Sequence, residues 1–122
     1  MIRTYFESLK KQARSFQFLK DFKLFREFVD HNKGFIRFKM DLIDGSEVHV
    51  FEYVSGKLEK LDYSYHLQDK NKKLIVRWDN APHHPGLENY PHHFHDGQNV
   101  KGVPKTTFHD ILEELSQILE NQ

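Results

Sequence analysis

The chain has 122 residues, enough for a single domain over 1–122 and too few for two. It contains no cysteine, which excludes disulfides and thiolate metal sites, and no apolar run near the length of a membrane span. Its 18 basic and 18 acidic residues cancel, so any contact with nucleic acid has to come from a local patch. The histidines are the compositional outlier: nine in all, five of them between His83 and His95.

The first residues carry no apolar leader, and a cytoplasmic location is the default expectation. Ile2, Tyr5, Phe6, Leu9, Ala13 and Phe16 recur at helical spacing, which predicts an amphipathic first helix. Beyond Ser15 the period changes. Phe18, Phe22, Leu24 and Phe28 fall on even positions, which predicts a strand over about residues 20–30, with a longer first helix as the alternative.

A meander follows. Asn32-Lys33-Gly34 is a turn. Ile36, Phe38, Met40 and Leu42 alternate with Arg37, Lys39 and Asp41, as in a half-buried strand. Asp44-Gly45 predicts a hairpin turn. Val48 and Val50 continue the buried face, with His49 and Phe51 opposite. Glu52 then points inward by alternation and needs a buried partner. After Ser55-Gly56-Lys57, a further alternating set (Leu61, Tyr63, Tyr65, Leu67) opposes Asp62, Ser64 and His66. Leu74, Val76 and Trp78 close the meander, opposite Ile75, Arg77 and Asp79.

Residues 80–105 read as one long irregular loop, because prolines and glycines punctuate it. Leu87, Tyr90, Phe94 and Val100 are apolar anchors that argue for order. Thr107 and Asp110 form a capping box for a last helix with a Phe108, Ile111, Leu112, Leu115, Ile118, Leu119 stripe. The expected fold is α+β: a four- or five-stranded antiparallel meander with N- and C-terminal helices packed on one face. The other face, carrying Arg37, His49, Ser64, His66, Arg77 and Asp79, is left open, with the loop folding near it.

Three stretches offer chemistry. In Tyr63-Ser64-Tyr65-His66, strand alternation puts Ser64 and His66 on one face, and His66 suits a general acid or base. In Arg77-Trp78-Asp79-Asn80-Ala81-Pro82-His83-His84, Arg77 and Asp79 share a face. There they form a strand-end ion pair or, with Arg77 as an oxyanion clamp, part of a site. In Pro91-His92-His93-Phe94-His95, His93 and His95 project together and, with His83 or His84, have permissive metal-ligand spacing.

These pieces, together with Asp41-Leu42-Ile43-Asp44-Gly45-Ser46 and Phe51-Glu52-Tyr53, resemble the TumE-type toxin family in order and spacing over roughly residues 35–120. The Asp79-Asn80-Ala81-Pro82-His83-His84 run is the most specific part. The resemblance implies the toxic half of a type II toxin–antitoxin pair, with a small helix-turn-helix antitoxin encoded beside it.

Three readings of the cluster stand side by side. The first is a metal-independent, cofactor-free ribonuclease. His66, His83, His84, His93 and His95 supply acid–base groups, Arg77 clamps phosphate, Asp79 orients a histidine, and Arg37, Tyr65, Asn80 and Tyr90 contact RNA. The second is a non-catalytic protein-binding module, for which open strand edges also allow a homodimer. The third is a metal-dependent hydrolase with ligands His83, His93 and His95.

Overall fold

The computed structural model describes residues 1–121. Its elements run α1 (Ile2–Arg14), β1 (Leu19–Val29), β2 (Lys33–Leu42), β3 (Glu47–Ser55), β4 (Lys60–Gln68), β5 (Leu74–Asp79), β6 (His93–His95), β7 (Val100–Gly102) and α2 (Phe108–Glu120). The seven strands pair in sequence order, each antiparallel to the next. Among the described residues no helix is long and apolar enough to cross a membrane.

Both helices lie on one face of the sheet, as the apolar stripes require. Ile36, Phe38 and Met40 of β2, Val50 of β3 and Tyr65 of β4 form one buried cluster with Phe6 and Leu9 of α1 and Phe108 and Ile111 of α2. Phe108 meets Phe38 edge-on, with ring centroids 5.7 Å apart. The capping box of α2 is formed: Asp110 N donates to Thr107 Oγ1 at 3.1 Å and Thr107 N to Asp110 Oδ2 at 3.2 Å. Gly45 adopts φ +89° in the β2–β3 turn, a conformation in which a side chain is strained. Glu52 has its buried partners. Tyr5 of α1 and Tyr65 of β4 both donate to its carboxylate, the latter at 2.6 Å, tying helix to sheet.

Two expectations are corrected. The sheet has seven strands, not four or five, because residues 93–95 and 100–102 leave the expected loop and extend the sheet beyond β5. Three-residue strands are too short to display alternation, and Pro91 and Pro104 flank them rather than interrupt them. Strand β1 forms over Leu19–Val29, but its parity changes midway. A register irregularity between Leu24 and Arg26 leaves Phe25 as the extra residue. Phe22 packs on Phe38 in the core, whereas Phe28, expected on the same side, pairs with Phe35 on the open face.

Candidate functional site

The pairing register lays three transverse rows across the open face. One runs Lys39–His49–His66–Arg77–His95, and its neighbour runs Arg26–Arg37–Phe51–Ser64–Asp79–His93. The third is Phe28–Phe35–Tyr53–Asp62. Because strands lie about 4.8 Å apart, the face divides into a histidine end on β4–β6 and an aromatic end on β1–β3.

Asp79 organises the histidine end. Its side chain is 6% exposed and accepts from Arg77 Nε at 2.7 Å and from the backbone N–H of Ala81 at 3.0 Å. His93 Nε2 lies 2.8 Å from Asp79 Oδ1, while His93 Nδ1 faces the Pro91 carbonyl at 2.8 Å. Both partners of His93 are acceptors, so the buried ring is held at both nitrogens, by the carboxylate on one side and the carbonyl on the other. Burial pushes the Asp79 carboxyl up, but hydrogen bonds from Arg77 and Ala81 and the nearby charges of His93 and Arg77 outweigh it and hold the group below the usual carboxylate range.

Arg77 is flanked by two histidines. On β4, His66 Nδ1 lies 3.2 Å from Arg77 Nη1 and therefore accepts from it, while His66 Nε2 lies 3.1 Å from Gln68 Oε1. Burial first, then the Arg77 charge, lowers the proton affinity of His66. On β6, His95 Nε2 stands 3.8 Å from Asp79 Oδ2. Its proton affinity is lowered mainly by burial and by His93, with Asp79 opposing. Two imidazoles of lowered proton affinity thus stand on either side of a guanidinium that is itself 37% exposed.

His84 joins this end from the loop. Its ring centroid lies 5.2 Å from that of His93 and 5.9 Å from that of His95. One ligand atom from each of His84, His93 and His95 falls within 4.8 Å of the others, so these three are the residues that could hold a metal ion. The expected third ligand, His83, is exposed and stands outside the cluster.

Tyr65 is fully buried under the helices, bonded to Glu52 and to Lys60 Nζ at 2.7 Å, and cannot stack on a base. Its position follows from β4 alternation, which puts the tyrosines opposite His66. Asn80 clips β5 to β4, accepting from Tyr63 N at 3.0 Å and donating to the Leu61 carbonyl at 3.2 Å, so its amide is already committed. Tyr90 is exposed in the loop. His92 points to the covered side, where its Nδ1 lies 2.8 Å from the Tyr63 hydroxyl.

Arg37 lies on the open face as expected, but at the aromatic end, with its guanidinium 4.5 Å from the centroid of Phe51. Beside it Arg26 covers Phe35 at 5.2 Å. Phe28 and Phe35 are stacked at 5.7 Å and 24°. Arg26, Phe28, Lys33, Phe35, Phe51 and Tyr53 border a cleft of about 570 Å³. The sequence carried this signal, because Phe35, Phe51 and Tyr53 share the parity of Arg37 and His49. Arg26 and Phe28 were hidden, by the bulge.

An antiparallel sheet with one helix-covered face and one open face bearing an Arg–Asp–His network defines the class. The chain belongs to the TumE toxin family: the family model described as Toxin TumE matches residues 9–121, nearly the whole chain. No curated protein and no solved structure matches it.

Proposed function

We propose that this chain is the toxin of a type II toxin–antitoxin pair and that it acts as a metal-independent ribonuclease at the histidine end of the open face. The observation that carries the reading is the transverse trio His66–Arg77–His95, a guanidinium between two imidazoles about 10 Å apart across two strand spacings. RNA brings its own nucleophile, the 2′-hydroxyl. Arg77 binds the scissile phosphate and offsets its developing charge. The phosphate takes over Arg77 Nη1 and frees the Nδ1 lone pair of His66, which removes the 2′-hydroxyl proton. O2′ attacks phosphorus as the bond to O5′ breaks, and protonated His95 delivers a proton to O5′. The products are a 2′,3′-cyclic phosphate and a free 5′-hydroxyl. Asp79 positions Arg77 and His93 and favours the charged form of His95, which burial and His93 oppose. The partner that holds the toxin inactive is a helix-turn-helix antitoxin encoded nearby.

Expression of the chain alone arrests growth, and purified protein leaves 2′,3′-cyclic ends. His66→Gln and His95→Gln each lose about 100- to 10,000-fold in cleavage, and Arg77→Ala about 100- to 1,000-fold. Both histidines hold protons less tightly than a free imidazole. The bell in kcat/KM is therefore centred below the ordinary histidine value of about 6.5. Variants that cleave RNA like wild type sink the assignment.

A second reading, a metal-dependent hydrolase, is favoured by the His84–His93–His95 cluster. The Nδ1 bond of His93 to a carbonyl is the kind of support that metal-bound histidines receive. Against it, His93 Nε2 is already given to Asp79. Metal analysis of chelator-free protein, with activity assayed on adding zinc or manganese, separates the two.

A further inference from the structure

We infer that the aromatic end of the open face is a stacking platform for single-stranded RNA, leading the strand into the histidine end; this inference rests on the ribonuclease reading. Three features point to nucleic acid rather than to an apolar partner. First, two of the four aromatic rings there carry a guanidinium on their faces. Arg26 lies over Phe35 and Arg37 over Phe51, and Lys33 borders the same cleft. Second, these cations are unspent. Among the described residues none of Arg26, Lys33 and Arg37 takes part in an ion pair. Of the acidic groups elsewhere on the face, Asp41 and Glu47 are matched by Lys39 and Asp79 by Arg77 and His93, while Asp21, opposite Asp41, has no ion pair among the described residues. Two carboxylates border the platform: Asp62 at the far end of the Tyr53 row, and Asp30, which accepts from the backbone N–H of Lys33 at 2.9 Å. Third, the platform is continuous with the proposed site. Arg37, Phe51, Ser64 and Asp79 are successive neighbours in one row, so the cleft lies about 14 Å, three strand spacings, from Arg77 and its strand.

Unpaired bases stack on exposed rings whatever their sequence, while interleaved guanidinium groups follow the phosphates. Phe51 and Phe35 carry the bases, Tyr53 and Phe28 extend the surface, and Arg37 carries the phosphate between platform and site. A neutral chain gains in this way the local positive field that its net charge denies it.

The test uses the full chain and a 2′-O-methyl oligoribonucleotide about eight nucleotides long, which has no nucleophile and reports binding alone. Phe35→Ala and Phe51→Ala each weaken binding about tenfold, and Phe51→Tyr keeps it. Arg37→Ala lowers the slope of log K against log salt by about 0.7. The same oligonucleotide without bases, or held in a duplex, binds more weakly than the single strand. Circular dichroism and thermal melts accompany each variant, and Phe51→Leu replaces Phe51→Ala if the latter fails to fold. Equal binding of the abasic strand, or wild-type affinity in both phenylalanine variants, overturns the platform. So does retained RNA binding with loss of co-purification with the antitoxin encoded beside it, which makes the patch a protein-docking surface. Binding without cleavage of natural RNA overturns the ribonuclease reading instead, and leaves the platform standing.

Discussion

The two ends of the open face are built from opposite materials. At the histidine end every charged group is spoken for: Asp79 takes bonds from Arg77, His93 and Ala81, and His93 is fixed at both nitrogens. At the aromatic end the cations lie on ring faces, and Phe28 remains 44% exposed. A buried ionic network holds geometry to fractions of an ångström, because displacing one member strands the others in a poor solvent. An exposed cation–aromatic surface holds geometry loosely, yet accepts any flat partner. The first suits bond making and breaking, the second suits capture. Substitutions at the histidine end should therefore fall on turnover, and those at the aromatic end on affinity.

The sharpest way to break this contrast is Asp79→Ala. Removing the carboxylate leaves His93, 3% exposed, without its Nε2 partner, and frees Arg77. About 3 kcal/mol of stability should go with it, discounted because Arg77 is partly solvated, and cleavage should fall below detection. Chemical denaturation reads the first and an end-labelled RNA assay the second. A stability loss under about 1 kcal/mol would show that the network is not holding the site.

How far this division was legible in the sequence depends on the length of the pattern that carried it. Strands β2 to β5 are long enough for alternation, so His66, Arg77 and Asp79 fell on the open face as expected, and Glu52 pointed to partners in the core. His93 and His95 were legible as a pair but not as part of the sheet, since a three-residue strand is defined by its neighbour and not by its own period. His84 replaced His83 because a loop has no period from which to choose between adjacent residues. Tyr65 and Asn80 were misjudged for another reason. A side chain of suitable chemistry was taken as available, whereas Glu52 and the β4 backbone had already claimed both. Phe28 was lost to one extra residue, Phe25, which reversed parity for the rest of its strand.

A milder substitution probes whether the late strands matter to the site. Gly102 pairs with His93, and a Cβ placed there would lie 1.7 Å from the Glu88 carbonyl oxygen, a backbone atom that cannot swing aside. Gly102→Ala should cost about 1–3 kcal/mol as the loop moves off β7, and cleavage should drop as His93 and His95 lose their seating. Binding of the 2′-O-methyl oligonucleotide should stay near wild type, because β1–β3 are untouched. Gly86→Ala, with nothing within 4 Å of the new atom, is the matched control and should be neutral. Equal loss of binding and cleavage in Gly102→Ala would mean that the two ends fold as one unit.

The smallest expected effect is the dependence of stability on pH. His66, His92 and His95 all hold protons less tightly in the fold than in the open chain, mainly through burial. The folded state therefore binds fewer protons than the unfolded state, and the stability this represents is complete above the unfolded value of about 6.5 and is lost as pH falls below it. Asp79 acts in a lower window. Its folded value is depressed, so its contribution is present above about 3.9 and disappears as pH drops through the folded value. Denaturation midpoints measured across this range should decline in two steps. His66→Gln should reduce the first step, which His92 and His95 share, and Asp79→Asn should reduce the second, which Glu7, Asp30, Glu47, Asp96 and Asp110 share. Phe51→Ala should shift the whole curve without changing its shape, because Phe51 has no proton to exchange and its partner Arg37 stays charged throughout. A phenylalanine variant that altered the pH profile would show that the aromatic end is wired into the histidine network, and the division of labour across the sheet would have to be given up.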